Sequence, residues 1–550
     1  MRQIDRLTVE TYGLRSLLLM EEAANACLRA LATRLSGGLA GQKVLVICGK
    51  GSNGGDGAAL VRALAGVGAL TDVILIGKVT ETKGDARENF EALRRLASFE
   101  AGSTTEPSPI SFLEFENLED WEAIARPRGA YQIVVDALFG TGLVRPLEGV
   151  YVQIVQHLAV LRSARDRAGE AEPLILSIDL PSGLNADLAN PIGDAVKADL
   201  TVTFTAPKPA NVLPPASHYN GELVVANIGT PAGLIERAQP DLFVTEAADA
   251  RHWLEQTRYL PDSYKNTHGH ALIVAGSRDY SGAAALCADA AMSSGAGLVT
   301  VATPASAQTS VAARSMPEVM TTALRETDRG AVSDEAVEHV KLLASKATVL
   351  AIGPGLTASD QRTRDFVKLV LAQRETPIVI DADGLNCLAP WPEELKGSEE
   401  RPLIVTPHPG EMLRLMGTED KALLANRVQV ARDFAKRHGL IVVLKGSRTL
   451  IAAPDGRVFV NPTGNAGSGT AGAGDTLTGA ITGFLAQAFA TLGQRADSLT
   501  TVIAAVYISG LAGDLVANKK GMRTMLASDI RSHLGAAIVM LDPEGERPRP

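Results

Sequence analysis

The chain is short of the residues that lock small secreted folds and of those that grip polyanions. Four cysteines occur in 550 residues, Cys27, Cys48, Cys287 and Cys387, and none stands in the short paired spacing of a zinc site or a redox dithiol. All four are expected to be reduced core residues. Cationic surplus is missing too: 53 Lys+Arg face 62 Asp+Glu, a formal net charge of −9, with the basic residues scattered singly. That balance offers no broad positive surface and excludes nucleic acid as the expected partner. No Lys/Arg run adjoins an amphipathic stretch of the kind that lies on a membrane, and no uninterrupted apolar run approaches about 18 residues, so no bilayer span is expected. The first thirty residues mix Asp5, Arg6, Glu10 and Arg15 among the apolar ones, unlike the apolar centre of a secretory signal. A cytoplasmic protein is expected.

What is present is length and β-α alternation. The chain exceeds what one hydrophobic core usually organises. Short β-branched runs at 43–48, 72–76, 132–135, 174–178, 200–204 and 223–227 alternate with helical patterns. A second series at 271–275, 298–302, 348–352, 377–380, 403–406 and 441–444 does the same, with a helical pattern at 422–437. Near-continuous apolar strands separated by helices predict parallel sheets covered on both faces. The segment 229–249, with Pro231, Gly233 and Pro240, separates the series, which places the boundary near residue 240, with domains at 1–240 and 241–550. Residues 100–120 read as a long polar surface loop.

In the first half, the strand at 43–48 runs into Gly49-Lys50-Gly51-Ser52-Asn53-Gly54-Gly55-Asp56-Gly57 and then a helix, the setting in which backbone amides and a helix N-terminus face a phosphate. The GxGxxG spelling alone is weak, and no acidic residue ends the second strand, where Gly77 leads into Lys78. An ordinary NAD-dependent dehydrogenase is therefore disfavoured. Two further strands end in Asp136, followed by Gly140-Thr141-Gly142, and in Asp179, followed by Pro181-Ser182-Gly183. Carboxyl ends of parallel strands face the ligand crevice, although each aspartate would also serve as a helix cap.

These three segments resemble the NAD(P)H-hydrate epimerase family over roughly residues 10–228. The resemblance implies a Rossmann-like three-layer domain in which Ser52, Asn53, Gly54, Gly55 and Asp56, with Gly140, Thr141, Gly142, Leu143, Val144, Arg145 and Pro146, hold the hydrated cofactor, and Asp179 touches its reacting ring as acid/base. It also implies K+ on Asn53, Asp136 and Ser182. An amide, a carboxylate and a hydroxyl are hard oxygen donors that suit such a cation better than zinc. Ser52 stands where the family usually has Asn.

The second half has Gly464 to Asp475 opening a helix at 476–487, a turn whose amides and helix dipole stabilise anionic oxygens. Asp475 among them reads as a base beside a transferring group, with a helix N-cap as the alternative. Lys445-Gly446-Ser447-Arg448-Thr449 follows a strand, with two cations and two hydroxyls for a nucleotide, or else makes a surface hairpin. Thr406 to Glu411 presents His408 at a strand end. Asp381 and Asp383 stand where they would hold magnesium through water or cap the next helix.

Together with His268-Gly269-His270, Ser281-Gly282-Ala283, Gly295-Ala296-Gly297, Met316-Pro317-Glu318 and Gly353-Pro354-Gly355, these motifs resemble the ADP-dependent NAD(P)H-hydrate dehydratases, which are ribokinase-like α/β domains, over nearly all of 250–540. The resemblance implies Ala283, Gly355, His408 and Asp475 on the hydrated cofactor, and Lys445, Gly446, Ser447, Arg448, Thr449 and Gly474 on the adenine nucleotide. It implies epimerisation of R- and S-NAD(P)HX in one half and, in the other, dehydration of the S form with ADP to NAD(P)H, AMP and phosphate, with Mg2+ accompanying the nucleotide. Ala473 replaces a hydroxyl residue usual in that turn. A vitamin or sugar kinase would explain residues 472–475 but leave the first half unexplained, and a non-catalytic dinucleotide sensor would leave four well-placed aspartates without work. A homo-oligomer acting on small molecules, without membrane or nucleic-acid partners, is expected.

Overall fold

The structure, a computed structural model, describes residues 2–35, 37–101, 109–115, 131–168 and 173–545. The chain divides into two compact units, Met1–Pro240 and Asp241–Pro550.

In the first unit, strands β1 (Lys43–Cys48), β2 (Leu70–Ile76), β3 (Ile110–Phe115), β4 (Ile133–Ala137), β5 (Leu174–Ile178), β6 (Leu200–Phe204) and β7 (Glu222–Ala226) form one sheet in the order β3-β2-β1-β4-β5-β6-β7. Every pairing is parallel. Strands β4, β5 and β6 are buried along their whole length, which is why they read as unbroken apolar runs. Separate apolar clusters cover the two faces: one with Leu31, Val46, Leu60 and Phe90, the other with Ile47, Ile74, Leu138 and Ile154. The order reverses between β1 and β4, so a crevice opens at their carboxyl ends.

In the second unit β8 (Leu242–Val244), β9 (His270–Val274), β10 (Leu298–Pro304), β11 (Met320–Leu324), β12 (Val349–Ile352), β13 (Ile378–Ile380), β14 (Leu403–Val405), β15 (Ile441–Leu444), β16 (Leu450–Ala452) and β17 (Val458–Val460) form a sheet in the order β11-β10-β9-β12-β13-β14-β15-β16-β17-β8. The pairs β15/β16 and β16/β17 are antiparallel. The reversal lies between β9 and β12.

Several elements differ from the sequence expectation. The expected loop at 100–120 contains the edge strand β3, while residues 102–108 and 116–120 lie outside the described residues. The separating segment 229–249 is not bare linker: it holds the helix Ala232–Arg237 and β8, which pairs in parallel with β17. The glycine-rich turns are shorter than their spelling, because helices already begin at Ser52 and Ala473. Finally, the helix Ser498–Lys520 has, by length and a mean hydropathy of 1.7, the composition to cross a bilayer, contrary to the expectation from uninterrupted runs. It packs against the helices Ala473–Leu492 and Ala247–Gln256, with 61% of its apolar window buried in the unit, which is the placement of a core helix.

Candidate functional sites

At the first crevice, β4 delivers Asp136 and β5 delivers Asp179. Asp136 is fully buried. Its Oδ2 accepts hydrogen bonds from Ser177 Oγ and the Ser182 amide, each at 2.8 Å, and its Oδ1 accepts from Ser182 Oγ at 2.5 Å. Burial raises its carboxyl above the ordinary range, opposed by the Ser182 hydrogen bonds. Ser182 Oγ also accepts from the Phe139 amide at 2.9 Å, which fastens the loop leading to Gly140.

Gly140 is where the site converges. A Cβ there would stand 3.0 Å from Asp179 Oδ2 and 3.1 Å from Asn53 Oδ1, so the glycine lets the loop approach both side chains without displacing them. Asn53 is buried and its Nδ2 has no hydrogen-bond partner. Gly54 and Gly55 lie buried in the first turn of the helix Ser52–Gly66, whereas Ser52 is exposed at its start. In the loop after Gly140, Leu143 turns into the core, while Val144, Arg145 and Pro146 remain exposed.

Asp179 takes φ +66°, a conformation uncommon for a residue with a side chain. Its Oδ1 lies 2.6 Å from Lys208 Nζ, an ion pair in which the lysine side chain is 4% exposed. Lys208 is a residue of this crevice that the sequence reading does not single out. Its signal was a lysine set between Pro207 and Pro209 just beyond the buried β6. Asp56 is pushed well above its ordinary range by burial and then by the charges of Asp179 and Asp5, the latter on the first helix.

In the second unit the candidate residues gather at the ends of β12, β13, β14 and β15 and at the start of the helix Ala473–Leu492. A Cβ on Gly355 would stand 3.2 Å from that of Ala283, so these two positions adjoin. Asp381, 1% exposed, accepts from Lys445 Nζ at 2.7 Å and from Thr478 Oγ1 at 2.8 Å. A Cβ on Gly474 would stand 3.4 Å from Lys445 Nζ and 3.8 Å from Asp381 Oδ2. Above this pair, Asp475 sits in the first helical turn, three residues past the N-cap position held by Gly472, so the cap alternative does not hold for it. Burial, then the charge of Asp381, pushes its carboxyl up to about 7.

Lys445 is spent largely on the chain itself. Burial would lower its pKa, but Asp381 and Glu411, the latter 3.8 Å away, keep it raised. His408 caps the helix Pro409–Leu415: its Nδ1 accepts from the Gly410 and Glu411 amides at 3.0 and 3.3 Å, leaving half of the side chain exposed. Lys445 to Thr449 forms the connection of the β15/β16 hairpin, where Arg448 donates to the Pro462 carbonyl and Arg427 Nη2 donates to Ser447 O at 2.9 Å. Asp383 accepts from the Thr357 amide at 2.9 Å and from Asn386 Nδ2 at 3.2 Å. Among the described residues there is no group of three or more His, Cys, Asp or Glu placed to hold a metal ion.

Residues 16–210 match the family described as YjeF-related protein N-terminus, and residues 271–535 match the family described as NAD(P)H-hydrate dehydratase. The bifunctional NAD(P)H-hydrate repair enzymes of Moorella thermoacetica and Thermofilum pendens are each 36% identical to this chain, across 99% of it and 97% and 96% of their own lengths. The chain belongs to the bifunctional NAD(P)H-hydrate repair enzymes. An ADP/ATP-dependent NAD(P)H-hydrate dehydratase from Bacillus subtilis, crystallised with ATP/Mg2+, is 29% identical, covers 55% of this chain and 99% of its own, and has a TM-score of 0.46. A repair enzyme of this family carries an epimerase and a dehydratase in one chain, and its two α/β units answer to that division.

Proposed function

We propose that the crevice around Asp179 interconverts the R and S epimers of hydrated NAD(P)H, and that Asp475 drives the ADP-dependent return of the S epimer to NAD(P)H. The observation that carries this reading is the position of Asp475: a carboxyl poised near neutrality, in a helix's first turn, beside the buried Lys445–Asp381 pair. A general base works best when its pKa lies near the operating pH.

Hydroxide is a poor leaving group, so the ring hydroxyl must first be activated. In the proposed step Asp475 takes the hydroxyl proton as that oxygen attacks a phosphoryl group of ADP, the anhydride P–O bond breaks and AMP leaves. The ring C–O bond then breaks, phosphate departs with the bonding pair, a proton leaves the neighbouring ring carbon, and the double bond returns. The Gly474 amide and the helix N-terminus stabilise charge on the transferring group. Ala283 and Gly355 form the close-approach wall for the hydrated ring, with His408 at its edge, while Lys445, Gly446, Ser447, Arg448 and Thr449 flank the nucleotide.

In the epimerase unit Asp179 exchanges protons with the hydrated ring as the configuration of the hydroxylated carbon inverts. The donor set there is of the kind a potassium ion takes: Asn53, Asp136 and Ser182 supply hard oxygens, and among the described residues the buried Asp136 accepts hydrogen bonds from Leu138, Ser177 and Ser182 but has no ion pair. They would hold the ion, which when bound supplies positive charge beside the substrate. Asp381 does not fit as a direct ligand of magnesium, because Lys445 Nζ already neutralises it in an ion pair at 2.7 Å.

The test is incubation of the protein with hydrated NADH and ADP, following recovered NADH absorbance and released phosphate. Stoichiometric phosphate supports the reading, and recovery without any nucleotide contradicts it.

A further inference from the structure

The two oxygens of Asp179 have different surroundings. Oδ1 accepts from Lys208 Nζ at 2.6 Å and from Thr203 Oγ1 at 3.1 Å. Oδ2 faces the point beside Gly140 that Asn53 Oδ1 also faces. An ammonium has three N–H donors, and all three of Lys208 are placed: on Asp179 Oδ1, on Thr203 Oγ1 at 2.8 Å and on the Phe204 carbonyl at 3.0 Å. None is left for a substrate. The lysine backbone is pinned as well, its amide donating to Asn211 Oδ1 at 2.8 Å, while Asn211 Nδ2 donates to Asn220 Oδ1 at 2.9 Å.

The charges around it give the pair a reason. Burial raises the carboxyls of Asp5, on the first helix, and of Asp56, on the helix Ser52–Gly66, and the charge of Asp179 adds to the rise in both. Lys208 is the cation in ion-pair contact with that carboxylate. Breaking a buried pair by deleting one partner leaves an uncompensated charge, here one that faces two further carboxyl groups.

We propose that Lys208 is a positioning residue of the epimerase: it ties down Oδ1 of Asp179, and so makes Oδ2, turned toward Gly140 and Asn53, the atom that exchanges the proton with the hydrated ring. The inference rests on Asp179 being the acid/base, and its test separates the two statements.

The full chain is supplied with one epimer of hydrated NADH and no nucleotide, so that the dehydratase is idle, and appearance of the other epimer is timed. Lys208→Ala is expected to lower kcat about 100-fold or more with KM within about threefold, the signature of an interaction that acts on the chemical step. Millimolar ethylammonium is expected to restore at least about a tenth of the lost kcat, a rescue that a merely structural lysine would not show. Thr203→Val, which removes one acceptor of Lys208 together with the second donor to Asp179 Oδ1, is expected to lose about 3- to 30-fold in kcat at constant KM; if Lys208→Ala does not fold, Lys208→Met, which fills the same space without the charge, decides the matter by the same kcat loss. Asp179→Asn at wild-type rate would overturn the acid/base reading itself. Asp179→Asn inactive, with the folded Lys208 and Thr203 variants at wild-type kcat, would overturn this inference alone.

Discussion

Lys445 Nζ lies 2.7 Å from Asp381 Oδ1 and adjoins Gly474, the residue before Asp475, where a Cβ would stand 3.4 Å from it. One carboxylate is thereby paired within the chain, and the other is left to meet the substrate. Since Asp475 must be ionised to accept a proton, kcat/KM for dehydration should rise tenfold per pH unit below about 7 and level off above it. The measurement is the pH profile on the S epimer with saturating ADP. A profile flat across that range would place the base elsewhere.

Replacing Lys445 by Met should harm both stability and chemistry. The buried Asp381 loses its cation, at a cost of about 3–5 kcal/mol in chemical denaturation of the second unit. Because Lys445 also draws the Asp475 pKa down, its loss should move the acid limb of the dehydration profile to higher pH.

Asp475→Asn should stop dehydration and yet stabilise the fold at alkaline pH. A carboxyl whose pKa is raised in the folded state binds more protons there than in the unfolded chain, so it subtracts stability as pH climbs from about 4 to about 7. The substitution removes that loss. The melting temperature of the dehydratase unit should gain a few degrees at pH 8 and much less at pH 5, as read by calorimetry.

Asp136→Asn addresses the cation. Wild-type epimerisation should slow when potassium is replaced by tetramethylammonium, and the variant should start slow and no longer respond, with dehydration of the S epimer unchanged. An equal response in both proteins would remove Asp136 from the ion's ligands.

Much of this was legible because parallel strands buried on both faces spell themselves as apolar runs: β4, β5 and β6 are buried throughout. The strands that the sequence does not reveal stand outside the parallel strand-helix alternation: β3, β11 and β8 lie at sheet edges, β16 pairs antiparallel with both β15 and β17, and β8 finds its partner β17 more than two hundred residues away. The sequence places the helix starts too late because glycine is a poor helix former. At Ser52 packing overrides that tendency, since the backbone of Gly57 lies so close to Ala137 and Cys48 that a Cβ would collide with both. Aspartates at strand ends are visible in the sequence, as is Lys445 as a cation for a nucleotide, whereas the pairing of Asp179 with Lys208 and of Asp381 with Lys445 exists only when the chain folds back. His408 shows the reverse case: the sequence offers it to a ligand, and the structure spends its Nδ1 on a helix cap.

Two aspartates divide the labour, Asp179 moving substrate between epimers and Asp475 returning one of them to NADH. The direct measurement is recovery of NADH absorbance from the pure R epimer with excess ADP, by wild type, by each variant and by the two variants mixed. Wild type should recover all of it, Asp179→Asn and Asp475→Asn alone should recover little beyond the spontaneous rate, and the mixture should recover it fully. Full recovery by either variant alone at the wild-type rate, or no recovery by the mixture, would show that the two aspartates do not divide the work in this way.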